Sequence, residues 1–250
     1  MKSIIAEELN KIEKEYNVEI IYAVESGSRA WGFASPDSDY DVRFIYKRKK
    51  DDYLRLEKAR DVIELPIDDV LDINGWDLDK TLRLLYKSNP TLFEWLSSPI
   101  VYKSTNSAER LKEISKGYFY SKPSLYHYLS MAKSNCREYL KGDMVKAKKY
   151  FYVIRPILAC RWILEKYTAP PMLFSELAKA ELPLELKADT DYLLDIKMNN
   201  PELKLIPKIQ NVNNYIEKSI EEISNEIERL EDSHQDIEML NEFFLSEINN

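Results

Sequence analysis

The sequence contains few of the residues that common catalytic motifs require. Its 250 residues include two cysteines, two histidines and five glycines. Cys136 and Cys160 lack CxxC spacing, so we expect two small core thiols in a reduced, cytoplasmic protein. The chain also has no HExxH or GxSxG motif, and its histidines are His127 and His234. These absences disfavour a histidine-dependent hydrolase.

Long hydrophobic runs are missing as well. No apolar stretch approaches the roughly 20 residues that cross a bilayer, so no membrane partner is expected. Residues 1–17 lack the unbroken apolar core of a signal peptide and predict an amphipathic helix instead. The composition, 44% hydrophobic and 32% charged, is typical of a globular protein. The length allows one large domain or two small ones.

The net charge of −7 is unevenly distributed along the chain. Residues 211–250 hold eleven acidic and two basic side chains, whereas residues 1–210 hold 32 acidic and 34 basic ones. The acidity falls within residues 205–248, which predict one long helix that packs an apolar stripe on the body. No strongly basic face indicates a polyanionic partner, and the charge balance of residues 1–210 does not exclude one.

The pattern of the chain changes near its middle. The first hundred residues mix helical and strand signals, and the later ones give only helical signals. The expected fold is therefore α+β, with a boundary near 103–122 and domains at 1–104 and 105–250. Helices are predicted at 3–16, 106–119, 123–140, 143–167, 175–181, 184–198 and 205–248, besides one after Asp77 and one at Pro90. Strands are predicted at 18–25, 40–46, 61–65 and 69–73.

Carboxylates cluster at the start of the second predicted strand. Asp39 and Asp41 are two residues apart, and alternate residues of a strand share one face. Two such charges repel unless a cation lies between them. Oxygen-only ligands suit Mg²⁺ or Mn²⁺, and paired carboxylates can bridge two ions about 4 Å apart for phosphoryl chemistry.

A Gly-Ser turn directly follows the first predicted strand. Gly27 lets the backbone approach a ligand, and main-chain N–H groups at such a turn can cradle phosphate oxygens. Gly27 and Gly32 have the G-x4-G spacing of a P-loop, but Phe33 and Ala34 stand where the lysine and hydroxyl residues would follow. A P-loop ATPase is therefore disfavoured.

The combination of a strand, a Gly-Ser turn and a D-x-D at the next strand resembles the nucleotidyltransferase superfamily of the DNA polymerase β type. The wording "GSRAWGFASPDSDYDVRFIY", "DINGWDLDK" and "SNPTLFEWLSSPIVY" is similar to that of the predicted bacterial nucleotidyltransferases of the RNA-repair-pathway polymerase β group. The resemblance covers residues 20–105 and extends more loosely to 148–163. It implies a catalytic domain with a short twisted sheet flanked by helices, followed by an all-α, substrate-binding domain.

The resemblance also implies roles for individual positions. Gly27 and Ser28 match the phosphate-binding turn, and Asp39 and Asp41 match the first two metal ligands. A third carboxylate is expected on a later strand, and Asp72 is the first choice because its apolar neighbours face the other way. Glu64 and Asp77 are the alternatives, and Asp77 could simply cap the following helix. Arg29, beside the turn, could contact the triphosphate or pair with a surface acid.

One helix of the second half carries a possible nucleotide-binding face. Lys148, Tyr152 and Arg155 are spaced i, i+4 and i+7 in "KAKKYFYVIRPILACRW". Such a face could hold the phosphates and base of an NTP. A core helix with snorkelling cations would have the same pattern.

The expected activity is metal-dependent transfer of an NMP from an NTP to an acceptor hydroxyl, with release of pyrophosphate. The acceptor favoured by the resemblance is an RNA 3′ end, and a small molecule or a protein hydroxyl is the alternative. A different class of function is a non-catalytic, antitoxin-like nucleotide-binding module. The intact pair Asp39 and Asp41 argues against that class.

Overall fold

The computed structural model of the protein describes residues 1–66, 70–199, 204–231 and 235–249. Its strands are β1 (Glu19–Ser26), β2 (Tyr40–Lys47), β3 (Val62–Glu64), β4 (Leu71–Asp77), β5 (Val101–Ser104), β6 (Met144–Lys146) and β7 (Leu205–Pro207). Its helices are α1 (Lys2–Tyr16), α2 (Gly27–Ala30), α3 (Lys50–Tyr53), α4 (Leu78–Tyr86), α5 (Pro90–Leu96), α6 (Asn106–Ser115), α7 (Ser121–Tyr139), α8 (Ala147–Lys166), α9 (Phe174–Glu181), α10 (Lys187–Asn199), α11 (Gln210–Glu228) and α12 (Glu238–Ile248). Within these ranges, no helix is long and apolar enough to cross a membrane.

The chain forms two compact units. The sheet unit contains Met1–Gly27, Asp39–Phe119 and α12, and the helical unit contains Ser28–Ser38 and the chain from Tyr120 through α11. This division differs from the predicted boundary between residues 104 and 105. The short connection between β1 and β2 belongs to the helical unit, and the last helix belongs to the sheet unit.

The sheet unit is built on strands in the order β3-β4-β2-β1-β5. β1 is antiparallel to both β2 and β5, β2 is parallel to β4, and β3 is antiparallel to β4. The parallel register sets Asp41 of β2 opposite Asp72 of β4. Since paired residues in adjacent strands project to the same side, this register brings the two carboxylates together.

One core cluster joins α1 to the sheet. Ile5, Leu9 and Ile12 recur at helical spacing on α1 and are buried against strand residues such as Ala23 and Phe44. The predicted helix at 3–16 and the strands at 18–25 and 40–46 are confirmed within one or two residues.

The two predicted helix starts after β4 are also confirmed. The Asp77 carboxylate accepts a hydrogen bond from the Asp79 N–H at 3.0 Å and caps α4. The Asn89 side chain accepts from the Thr91 N–H at 3.0 Å, with Pro90 in the first turn of α5. The predicted strand at 69–73 begins at Leu71 and runs further, to Asp77, and position 69 lies outside the described residues. β5 was not predicted.

The helical unit packs α7 on α8, and the apolar side chains of α8 are buried around most of its circumference. The second half is predominantly helical, as expected, and β6 and β7 add a small antiparallel sheet that was not predicted. Each of these strands is three residues long, which is too short for a period of two to stand out in the sequence.

The prediction of one helix over residues 205–248 is also wrong. β7 occupies the start of that range, and α11 and α12 are separate helices in different units. α12 packs in the sheet unit through Glu247, which is 3% exposed. Its carboxylate pairs with Lys47 at 3.3 Å and Arg110 at 2.9 Å and accepts a hydrogen bond from Ser107 at 2.6 Å.

Candidate active site

Arg43 links two aspartates on adjacent parallel strands. Its Nη2 lies 3.2 Å from Asp41 Oδ1 and 2.6 Å from Asp72 Oδ2, and its Nη1 donates to the Asp72 carbonyl at 2.8 Å. The side chains of Asp41 and Asp72 are each 26% exposed. Asp39 is exposed and lies directly before β2. The predicted carboxylates on β2 and β4 are therefore brought together in the sheet unit, on an accessible surface.

Gly27 packs directly against this cluster. Its φ is +62°, and a Cβ atom at this position would lie only 2.0 Å from Asp41 Oδ2. Both observations favour glycine, because other residues rarely adopt this backbone conformation and a Cβ would displace the Asp41 carboxylate. The turn after β1 thus places backbone without a side chain directly beside Asp41.

Glu25 supports Asp41 from within the sheet and was not predicted. It is fully buried, and its Oε1 accepts a hydrogen bond from the Asp41 N–H at 2.8 Å. The Tyr102 hydroxyl donates to the other carboxylate oxygen, and the Ser98 hydroxyl donates to the Glu25 carbonyl at 2.6 Å. The sequence did contain a signal, because Glu25 directly continues the apolar run "IIYAV" of a buried strand. An acid that is buried in this way needs dedicated hydrogen-bond partners.

The two alternatives for a third carboxylate have other partners. Glu64 pairs with Arg60 and accepts from Asn74 Nδ2 at 3.1 Å. Asp77 caps α4, is 3% exposed, and accepts from the Tyr53 hydroxyl at 2.9 Å. Burial raises the pKa of Asp77 above its ordinary value. Of the three candidates, Asp72 has the position beside Asp41.

The fit of a divalent cation rests on the donor chemistry of this cluster. No group of three or more His, Cys, Asp or Glu side chains in the described chain is arranged to hold a metal ion. Asp41 and Asp72 instead share the guanidinium of Arg43. Their oxygen donors, neighbouring positions and partial exposure suit Mg²⁺ or Mn²⁺, which prefer carboxylate and water ligands.

The remaining predicted residues belong to the helical unit. Arg29 donates to the Ser38 carbonyl at 2.5 Å, and the Ser28 carbonyl accepts from the Phe33 N–H at 3.2 Å. Lys148 and Tyr152 are partly buried on α8. Arg155 is 2% exposed, with its guanidinium 4.7 Å from the centre of the Trp31 ring. A phosphate could reach Arg155 only after this packing opened.

Lys197 fixes the chain just before Asp39 and was also not predicted. Its ammonium group is buried, with 4% exposure of the residue, and donates to Ser35 Oγ at 2.9 Å and Ser38 Oγ at 3.3 Å. The two serine hydroxyls are themselves 2.9 Å apart. Both serines looked like ordinary turn residues in the sequence, and a lysine 159 or more positions away gave no signal of the contact.

Comparison with known proteins identifies the family of the chain. A family model described as the RNA repair pathway DNA polymerase beta family (RlaP) matches residues 1–246. The chain belongs to this family. It is 52% identical over 240 residues to "Uncharacterized protein YcgL" of Bacillus subtilis (strain 168), covering 95% of this chain and 92% of YcgL. A solved nucleotidyltransferase-like protein from Exiguobacterium sibiricum 255-15 is similar with a TM-score of 0.32 and 13% identity, over 88% of this chain and 73% of that chain.

Membership of the RNA repair pathway DNA polymerase β family confirms the resemblance seen in the sequence. The family supports nucleotidyltransferase as the general enzyme class of the protein. The mixed α+β fold agrees with that class.

Proposed function

We propose that the protein is a divalent-metal-dependent nucleotidyltransferase that transfers an NMP from an NTP to the 3′ hydroxyl of an RNA. The observation that carries the proposal is the register that pairs Asp41 with Asp72 beside the bare backbone of Gly27. The description of the family as one of RNA repair supports the choice of acceptor.

In this reaction the acceptor oxygen attacks the α-phosphorus and forms a new P–O bond. The bond between the α-phosphorus and the oxygen that bridges it to the β-phosphate breaks. Asp39, Asp41 and Asp72 would hold the divalent cation, which when bound supplies positive charge to the attacking and leaving oxygens. The Asp72 carboxylate is the proposed acceptor of the hydroxyl proton, which passes on to water. Pyrophosphate leaves.

The Gly27-Ser28 turn is the proposed phosphate-binding element. The positive φ of Gly27 and its missing Cβ permit a close approach of the backbone, and its N–H and that of the next residue are the proposed donors to phosphate oxygens. Arg29, Lys148 and Tyr152 are proposed nucleotide contacts of the helical unit. Arg155 is proposed to act through Trp31, on whose ring it packs.

The test incubates the protein with Mg²⁺, each α-labelled NTP and an RNA with a free 3′ hydroxyl. We expect pyrophosphate release and an RNA extended at its 3′ end. Asp41→Asn and Asp72→Asn keep the side-chain volume and should each lower the rate by about 100-fold or more, as loss of transition-state charge stabilisation does. Asp51→Asn, at an exposed position of α3, is the matched control.

RNA whose 3′ terminus has been oxidised with periodate separates the acceptor from the chemistry. Labelling of intact but not oxidised RNA supports the 3′-end acceptor. Full activity of Asp41→Asn would overturn the assignment of the site, and NTP consumption without any labelled RNA would overturn the acceptor.

A further inference from the structure

A cavity of about 530 Å³ lies within the helical unit. Its walls come from residues 31–33, from α9 and the turn after it, and from α10. Its apolar lining includes Trp31, Phe174, Leu182 and Met198. Ligand sites in proteins are typically concave, of about 300–1,000 Å³, and largely apolar with a few polar groups. The cavity has the size and lining of such a site.

Two buried polar atoms of the lining residues have no hydrogen-bond partner in the part of the chain that the structure describes. Thr190 is 1% exposed, and its Oγ1 has no hydrogen-bond partner among the described residues. The indole Nε1 of Trp31 is buried and equally unpartnered within the described chain. A buried polar group without a partner costs stability, and an indole N–H can only donate. A ligand with hydrogen-bond acceptors would satisfy both groups.

The charge of the lining indicates an anionic substituent on that ligand. Lys179 and Lys187 both line the cavity, and the carboxylate there belongs to Asp191, which pairs with Lys187 at 2.7 Å. The aromatic wall suits a planar heteroaromatic ring, and the two unpartnered polar groups suit its hydrogen-bond acceptors. The excess of one positive charge suits a phosphate on the same ligand.

We propose that this cavity binds the base and phosphate of a nucleotide. The proposal rests on the proposed function, which supplies two sources of this chemistry, the NTP and the terminal nucleotide of the RNA. The base would stack among the aromatic side chains and accept a hydrogen bond from Trp31 or Thr190. The lysines would neutralise the phosphate.

Binding is tested with AMP, GMP, CMP and UMP in buffer with EDTA, by calorimetry. Chelation removes any contribution of metal held by aspartates. At least one nucleotide should bind, and ribose 5-phosphate, which lacks the base, should not. Ala178→Phe fills the cavity from α9 and should weaken binding by about tenfold or more. Ala180→Phe places the same ring on the same helix at an exposed position outside this cavity and should leave binding unchanged.

Thr190→Val provides a second variant that preserves shape. It removes an unpartnered buried hydroxyl, so its melting temperature should stay the same or rise, while nucleotide affinity falls about threefold to tenfold. Equal binding of ribose 5-phosphate, no binding of any nucleotide, or unchanged affinity in both Ala178→Phe and Thr190→Val would overturn the proposal.

Turnover measurements then identify the source of the nucleotide. A raised KM for NTP in Ala178→Phe assigns the cavity to the NTP, and a raised KM for RNA assigns it to the acceptor. If every aspartate variant kept full activity, the proposed function would be overturned, whereas the metal-free binding result would still stand. If the aspartate variants lost activity as expected but the cavity variants bound nucleotide normally, only the proposal for the cavity would be overturned.

Discussion

At the scale of single residues, Arg43 both neutralises two carboxylates and connects two strands. Its guanidinium neutralises Asp41 and Asp72, and its hydrogen bond to the Asp72 carbonyl ties β2 to β4. Two carboxylates on neighbouring strands repel each other when no cation lies near them. The Arg43 guanidinium therefore offsets part of the repulsion between Asp41 and Asp72.

Replacing Arg43 by Gln should make the stability of the protein depend on added metal. Loss of the charge-assisted hydrogen bonds should cost about 1.5–3 kcal/mol in metal-free buffer. Added Mn²⁺ should raise the melting temperature of Arg43→Gln more than that of the wild type, since the unneutralised pair then gains a cation. Thermal melts with and without Mn²⁺ measure both effects.

Arg83→Gln is the matched control, because Arg83 pairs with Asp79 on an exposed helix surface. Such exposed pairs contribute little. Equal metal-induced shifts in Arg43→Gln, Arg83→Gln and the wild type would show that Asp41 and Asp72 do not share a cation.

The sequence predicted that Asp41 and Gly27 lie together but did not predict the residues that hold this part of the chain in place. Asp41 and Gly27 followed from alternation and from the turn after a buried strand. Glu25 and Lys197 did not, because each acts through a partner far along the chain, Tyr102 for the first and Ser35 for the second. Only the register of the sheet and the packing of α10 create those contacts.

At the scale of elements, the junction of β4 and α4 depends on one buried acid. Asp77 caps α4, accepts from Tyr53, and lies 3.2 Å from the Nε of Arg48. Burial nevertheless raises its pKa above the ordinary value near 3.8. A carboxyl whose folded pKa is raised binds its proton more tightly when folded, so its contribution to stability falls as pH rises through this window.

The variant Asp77→Asn should expose this pH dependence. Asparagine also caps helices well, so α4 should remain intact. The melting temperature of Asp77→Asn minus that of the wild type should increase as pH rises from about 4 to 7, because only the wild type then ionises a buried acid. Melts across this range measure the difference. A difference that decreases with pH would show that the pair with Arg48 outweighs burial.

The elements that sequence patterns missed are short or polar. β6 and β7 pair three residues each, and β5 has four, so none contains enough alternation to indicate a strand. The prediction of one long helix in the C-terminal region failed for a different reason. Apolar residues recur at helical spacing on α11 and again on α12, and only tertiary packing separates the two helices into different units.

At the scale of the whole molecule, the chain returns to the sheet unit at its C-terminal helix. Glu247 of α12 is buried and pairs with Lys47 and Arg110. The predicted domain boundary could not include this return, because the contacts join positions 137 or more residues apart. The acidic character of the C-terminal region indicated a solvated helix, whereas this one acid is buried.

Glu247→Ala should therefore destabilise the sheet unit by about 3 kcal/mol, the low end for breaking a buried ion pair, since Arg110 is half-exposed. Glu242→Ala, at an exposed position of the same helix, should change stability by less than about 0.5 kcal/mol. Chemical denaturation of both variants measures the free energies of unfolding. Equal losses in the two variants would contradict the docking role of Glu247.

The assignment of residues 28–38 to the helical unit limits how the protein can be divided for experiments. Phe33 of that segment lies 4.9 Å from the ring of Phe151 and 5.5 Å from that of Phe174. A fragment cut from the chain at Tyr120 lacks this aromatic side chain and leaves an open apolar cleft. We expect a synthetic peptide of residues 28–38 to bind such a fragment, so that the two pieces would form a split protein whose reassembly reports on the helical unit.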